Sequence, residues 1–99
     1  MPYIEKNRRT LFDKHLKEIG PHTTGQGDLN YCITILLHKY IESHGLSYAT
    51  LNDCIGVLEA AKLELYRRIV APYEDIKIAE NGDLELSESG DIVREIMKG

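Results

Sequence analysis

The residues of this chain that could do chemistry lie on two apolar stretches. Asn30, Thr34 and His38 recur at i, i+4 and i+8 through DLNYCITILLHKYIESH, so a helix stacks them on one face. Asn52, Glu59 and Arg67 lie along a second stretch, with Arg68 and Tyr73 just beyond it. A buried polar group left unpaired costs roughly 1–3 kcal/mol. These residues therefore bond one another across a helix–helix contact, or they bond a ligand. The first version, an interhelical network that sets register, is the commoner fate of buried polar groups. In the second, Arg67 and Arg68 hold an anionic group, Tyr66 or Tyr73 stacks on a ring, and Asn30 or Asn52 reads polar edges. A nucleotide or nucleotide-derived signal suits that set, and so does a peptide carboxylate.

Other chemistries find less support. His15, His22, His38 and His44 show no i, i+4 pairing, and neither CxxC nor HExxH occurs, so no zinc site is expected. Cys32, Cys54 and His38 could in principle form a nucleophile–base pair. Both cysteines fall on core-facing stripes, however, which predicts inert, reduced thiols. Glu80-Asn81-Gly82-Asp83 matches by letter the ExxD half of the magnesium site of helical pyrophosphohydrolases. No ExxE precedes it, and Asn-Gly is a turn, so the two acids do not share a helix face. Metal-dependent nucleotide hydrolysis stays a remote alternative. No cofactor is implied, and the chain reads as more binding protein than enzyme.

These residues need helices to position them. Ile4, Leu11, Phe12, Leu16 and Ile19 are spaced for a short amphipathic helix over 4–19, closed by Gly20-Pro21. Its polar face carries Lys6, Arg8, Arg9, Lys14 and Lys17 and reads as solvated. Residues 20–27 form a linker, with Asp28 as the expected cap of a helix over 28–44 that ends at Gly45. That helix is apolar almost all round, its main face being Leu29, Cys32, Ile33, Leu36 and Tyr40, so it is central or lies in an interface. Ser47 and Thr50 both qualify as caps for the next helix, Thr50 in a capping box with Asp53. Its expected core stripe is Leu51, Cys54, Ile55, Leu58, Ala61, Leu65 and Ile69. A second face holds Gly56 and Ala60, where another backbone could approach closely.

Pro72 is expected to stop that helix at about Ala71, because proline lacks the N–H and pushes the preceding residue out of the α region. A short helix then restarts at Pro72 and closes at Asn81-Gly82. The competing reading is a β-hairpin about Asn81-Gly82, with Ile76, Ile78, Leu84 and Leu86 alternating. The acidic linker from residue 83 leads to a last short helix containing Ile92, Val93, Ile96 and Met97. The expectation is an all-α fold of two long central helices with two or three short ones. It forms a single domain over 1–99, with its core at about 4–82.

Bulk properties narrow the partners. Ninety-nine residues with 42% hydrophobic side chains support a small core, so part of the apolar surface is expected to be buried by homo-oligomerisation, a dimer being favoured. A net charge of −4 argues against nucleic acid, whose phosphates need clustered positive charge. No apolar run is long enough to span a bilayer. The opening MPYIEKNRRT lacks the apolar stretch of a signal peptide. Together with the reduced cysteines, this predicts a cytoplasmic location.

GDLNYCIT, then GLSYATLNDCIGVLEAAKLELYRR, then APYEDIKIAENGD resembles a family of small uncharacterised proteins of bacteria and their phages. The likeness covers residues 27–83, with a weaker echo in MPYI, and stops at Leu84. It implies a prokaryotic host but no activity. The reading that results is a non-enzymatic helical binding protein holding a small anionic or nucleotide-like ligand, in a phage setting a sequestered host defence signal. The alternative is a protein–protein adapter or inhibitor acting through its helices or acidic tail.

Overall fold

The computed structural model describes residues 2–85 and 95–97. The fold is all-α, and no strand occurs among the described residues. The helices are α1 (Lys6–Ile19), α2 (Gln26–His44), α3 (Tyr48–Leu65) and α4 (Ala71–Asn81). A 3-10 turn, Gly20–His22, follows α1, and a π-helical segment, Tyr66–Val70, joins α3 to α4. The chain divides into two compact units, Met1–Glu64 and Leu65–Gly99.

In the first unit, α2 and α3 form an αα-hairpin through Gly45, Leu46 and Ser47. Gly45 ends α2 at φ 89° and ψ 148°, and its N–H donates to the Ile41 carbonyl at 2.8 Å. That backbone region is essentially open to glycine alone, which is why α2 stops where the sequence places its end. The start of α2 differs from expectation. The helix begins at Gln26, two residues early, so Asp28 sits in the first turn and not at the cap. Its carboxylate reaches back to accept from the Thr24 N–H at 3.1 Å and the Thr24 hydroxyl at 3.0 Å. The backbone bond ties the residue before the Gly25 N-cap to the first turn, one position earlier than the return half of a capping box would.

Ser47 caps α3: its hydroxyl accepts from the Thr50 N–H at 3.1 Å and donates to the Thr50 hydroxyl at 3.1 Å. Thr50 is thus the third helical residue and is buried, and the capping box expected at Thr50 and Asp53 does not form. Asp53 instead accepts from the Tyr40 hydroxyl at 3.3 Å, tying α3 to α2.

The interior is thin. Among the described residues only Cys54 and Thr50 are buried. The expected α3 stripe is not a core stripe: Ile55, Leu65 and Ile69 are exposed by more than half, and Leu51 and Leu58 by more than a third. The physical reason is that α3 is apolar on nearly every side, so periodicity alone does not choose a face; Thr50 and Cys54, one turn apart, are the side chosen. On α2 the half-buried residues are Cys32, Thr34, Ile35, Leu37 and Ile41. Leu29, Ile33 and Leu36 stay exposed. The segment before α1 docks on α3: Pro2 lies against Val57, Ala60 and Ala61, and the Tyr3 hydroxyl donates to Glu64. A Cβ on Gly56 would meet nothing within 4 Å, so among the described residues no backbone makes the close approach its size allows.

In the second unit, helix persists through Pro72. Every residue from 66 to 81 is helical, and Ala71 has φ −62° and ψ −47°. The expected break is therefore absent. The Ala71 N–H donates to the Tyr66 carbonyl, five residues back. A π turn lets the backbone widen just before the proline ring, whose clash with the preceding turn would otherwise kink an α-helix. α4 closes at Gly82, φ 86°, whose N–H donates to the Ile78 carbonyl at 2.8 Å. The helical reading of 71–81 thus stands and the hairpin does not, since Ile76 and Ile78 lie inside α4. Of the expected C-terminal helix, residues 95–97 are helical; Ile92 and Val93 lie outside the described residues.

Candidate functional site

The eight residues expected to make a site fall in both units. Asn30, Thr34 and His38 are on α2, and Asn52 and Glu59 on α3, in the first unit. Arg67 and Arg68 are in the π segment and Tyr73 on α4, in the second. Along the polar line of α2, the Thr34 hydroxyl donates to Asn30 Oδ1 at 2.9 Å. This bond runs within one helix and not between two. His38, two turns from Asn30, is exposed. Glu59 pairs with Lys62 at 3.6 Å, one turn along α3, and Asn52 is exposed.

Asn30 and Thr34 do line a depression of about 440 Å³ with Gln26, Gly27 and Tyr31. Its polar side-chain groups are two amides and two hydroxyls, which can orient a neutral polar ligand but offer no charge to an anion. At the other end of α2, the Tyr40 and His44 rings stack with centroids 4.0 Å apart, and His44 Nδ1 lies 2.8 Å from the Tyr40 carbonyl. Partial desolvation, then the Asp53 carboxylate beside it, hold the Tyr40 hydroxyl above its ordinary value of 10.0.

The residues of the π segment and α4 form a second constellation. The Tyr66 hydroxyl donates to Glu74 Oε1 at 3.3 Å. The Glu74 charge, then that hydrogen bond, raise the Tyr66 hydroxyl above 10.0. Lys77 Nζ sits 5.4 Å from the Tyr73 ring centroid, in cation–π range, and pairs with Glu80 at 3.1 Å. Two tyrosines are thereby held by neighbours a turn or two away, with Arg67 and Arg68 between them in sequence.

A third feature escaped the residue-by-residue reading of the sequence. An apolar groove of about 460 Å³ runs between α1 and α2, walled by Phe12, Leu16 and Ile19 from one helix and Leu29, Ile33 and Leu36 from the other. Its signal was present in the two apolar stripes, but only their juxtaposition makes a groove. Among the described residues, no three His, Cys, Asp or Glu side chains converge as a metal site would require. No helix among them is long and apolar enough to cross a membrane. The thiols are free, Cys54 buried and Cys32 half-buried.

A family model described as a domain of unknown function (DUF6899) matches residues 1–84. The chain belongs to this family. The match spans α1 to α4 and ends just after the Gly82 stop, where the acidic C-terminal stretch begins. It therefore includes both tyrosine constellations and the α1–α2 groove. No curated protein and no solved structure matches the chain.

Proposed function

We propose that this protein is a non-enzymatic interaction module whose recognition surface is the helical stretch 66–77. One observation carries the reading. Tyr66, Ile69, Tyr73 and Ile76, spaced three, four and three residues apart, are all exposed by half or more, at 50%, 61%, 58% and 55%. That is the anchor pattern of a helix that lies in a partner's groove. Tyrosine and arginine are also the residue types richest in binding energy at interfaces. The Glu74 and Lys77 contacts restrain the two tyrosines before binding, which reduces the entropy lost on association. The partner is a protein of the host cell; the resemblance to bacterial and phage proteins supports a prokaryotic host, and the free thiols support its cytoplasm as the site of action.

The test is a pull-down from host lysate with wild-type protein and with a Tyr66→Ala, Tyr73→Ala double variant. A stoichiometric partner captured by the wild type and lost by the variant is expected. Equal capture by both, with the variant folded by circular dichroism, rules the surface out.

A small-ligand reading rests on the depression beside Asn30 and Thr34. Its ligand is a small polar molecule, a nucleotide-like signal presenting the polar edges of its base to Gln26, Asn30 and Thr34. Calorimetric titration against a nucleotide panel checks it: binding must weaken in Asn30→Ala and in Thr34→Ala, and absence of any heat ends it.

A further inference from the structure

We propose that the α1–α2 groove seats the same groove of a second copy of this chain, and that the protein folds as a twofold dimer. This goes beyond the recognition surface at 66–77 and does not depend on it.

The groove is lined without a single Asp, Glu, Lys or Arg. A twofold interface sets a surface patch against its own copy, so a fixed charge near the axis meets its like. A wall free of fixed charge is what such a pairing tolerates, whereas a foreign polar or charged segment would find no partner in it. The wall is also open. Phe12, Leu16 and Ile19 are exposed by 44%, 54% and 46%, and Leu29, Ile33 and Leu36 by 52%, 41% and 61%. Half the surface of six such side chains, taken at about 150–200 Å² each, is roughly 500 Å² per copy. A symmetric pairing then covers about 1,000 Å² in total, where specific interfaces begin. Flanking Tyr31, exposed by 67%, adds to it.

Folding supplies the reason for choosing a second copy over a foreign helix. Thr50 and Cys54 are the only buried side chains among the described residues. So small an interior does not offset the conformational entropy lost on ordering the helices. The missing burial has to come from a partner present whenever the chain is made, and its own copy is the one molecule that always is.

Sedimentation velocity and thermal melts of the full chain over a hundredfold concentration range test this. A dimer is expected, with a melting temperature that rises with concentration. Leu36→Glu should weaken the dimer at least tenfold, whereas Leu63→Glu, on an exposed part of α3 away from the groove, should leave it intact. Should Leu36→Glu fail to fold, the otherwise unaltered protein decides through Cys32, which lines the groove. A short bis-maleimide should link two copies through Cys32, surviving Cys54→Ser and lost in Cys32→Ser. A folded monomer with a concentration-independent melt, leaving the groove to a foreign helix, overturns the proposal. So does a dimer weakened by Leu63→Glu but not by Leu36→Glu, or one that Cys32 never links.

Discussion

The Ala71 N–H donates to the carbonyl of Tyr66, five residues back, immediately ahead of Pro72. This single π turn is why the helix does not end at its proline. A proline inside an α-helix costs about 3 kcal/mol because a hydrogen bond is lost and the ring meets the turn before it. Here the turn before it is already widened. Pro72→Ala should therefore change stability by less than about 1 kcal/mol, well short of relief from an ordinary mid-helix proline. Ala71→Pro, which removes the π bond itself, should cost about 3 kcal/mol. Urea denaturation of the two variants measures both.

Glycine substitutions should have opposite signs at two positions. Gly45 holds φ 89° with ψ 148°, a conformation that costs side-chain-bearing residues about 1–3 kcal/mol. Gly45→Ala should destabilise by that amount and loosen the α2–α3 turn. Gly56 is mid-helix with open space where its Cβ would go. Gly56→Ala should stabilise by about 0.5–1 kcal/mol through helix propensity. Loss of stability at Gly56 would mean that a neighbouring molecule packs there.

Acid should loosen the start of α2. The Thr24 N–H, then the Thr24 hydroxyl, hold the Asp28 carboxyl below its ordinary value of 3.8. A carboxyl with a depressed folded-state pKa contributes stability that is fully present above the unfolded value and is lost as pH falls through the folded one. The contribution is therefore intact at neutral pH and fades below about 3.9. Asp28→Asn should remove this part of the acid dependence, read as a melting temperature that falls less steeply between neutral and strongly acidic pH.

Alkali should act at two places, the α2–α3 contact made by Tyr40 and the Tyr66–Glu74 bond within the second unit. Tyr40 and Tyr66 are both held above 10.0. A raised hydroxyl favours the neutral folded form, so its contribution is present below the unfolded pKa and is lost as pH rises through the folded one. Tyrosinate absorbance should therefore show late-titrating groups among the six tyrosines. Tyr40→Phe should remove one of them, and Asp53→Asn should bring Tyr40 only part of the way back, because desolvation remains. Glu74→Gln should bring Tyr66 back toward its ordinary range.

Much of this fold could be read along the chain. Gly45 and Gly82 mark helix ends because only glycine takes the backbone angles found there. Ser47 marks a helix start because its hydroxyl meets an orphan N–H. Both are local effects within a turn of the residue concerned. The helix start at Gln26 was misplaced because a carboxylate can serve from inside the first turn as well as from the cap. The expected stop at Pro72 failed because a one-residue widening of the backbone carries no sequence signature of its own.

What the sequence by itself determined is the all-α class, the helix stops at Gly45 and Gly82, the Ser47 cap and the apolar stripes of α1 and α2. These follow from backbone angles, capping bonds and the period of the apolar residues, all of short range. Only the tertiary structure decided which side of α3 is buried, that Tyr40 reaches Asp53, and that Phe12, Leu16, Leu29 and Leu36 face a common groove. Helices apolar on every side pack in several ways with similar burial, so the choice rests on contacts between residues far apart in the chain.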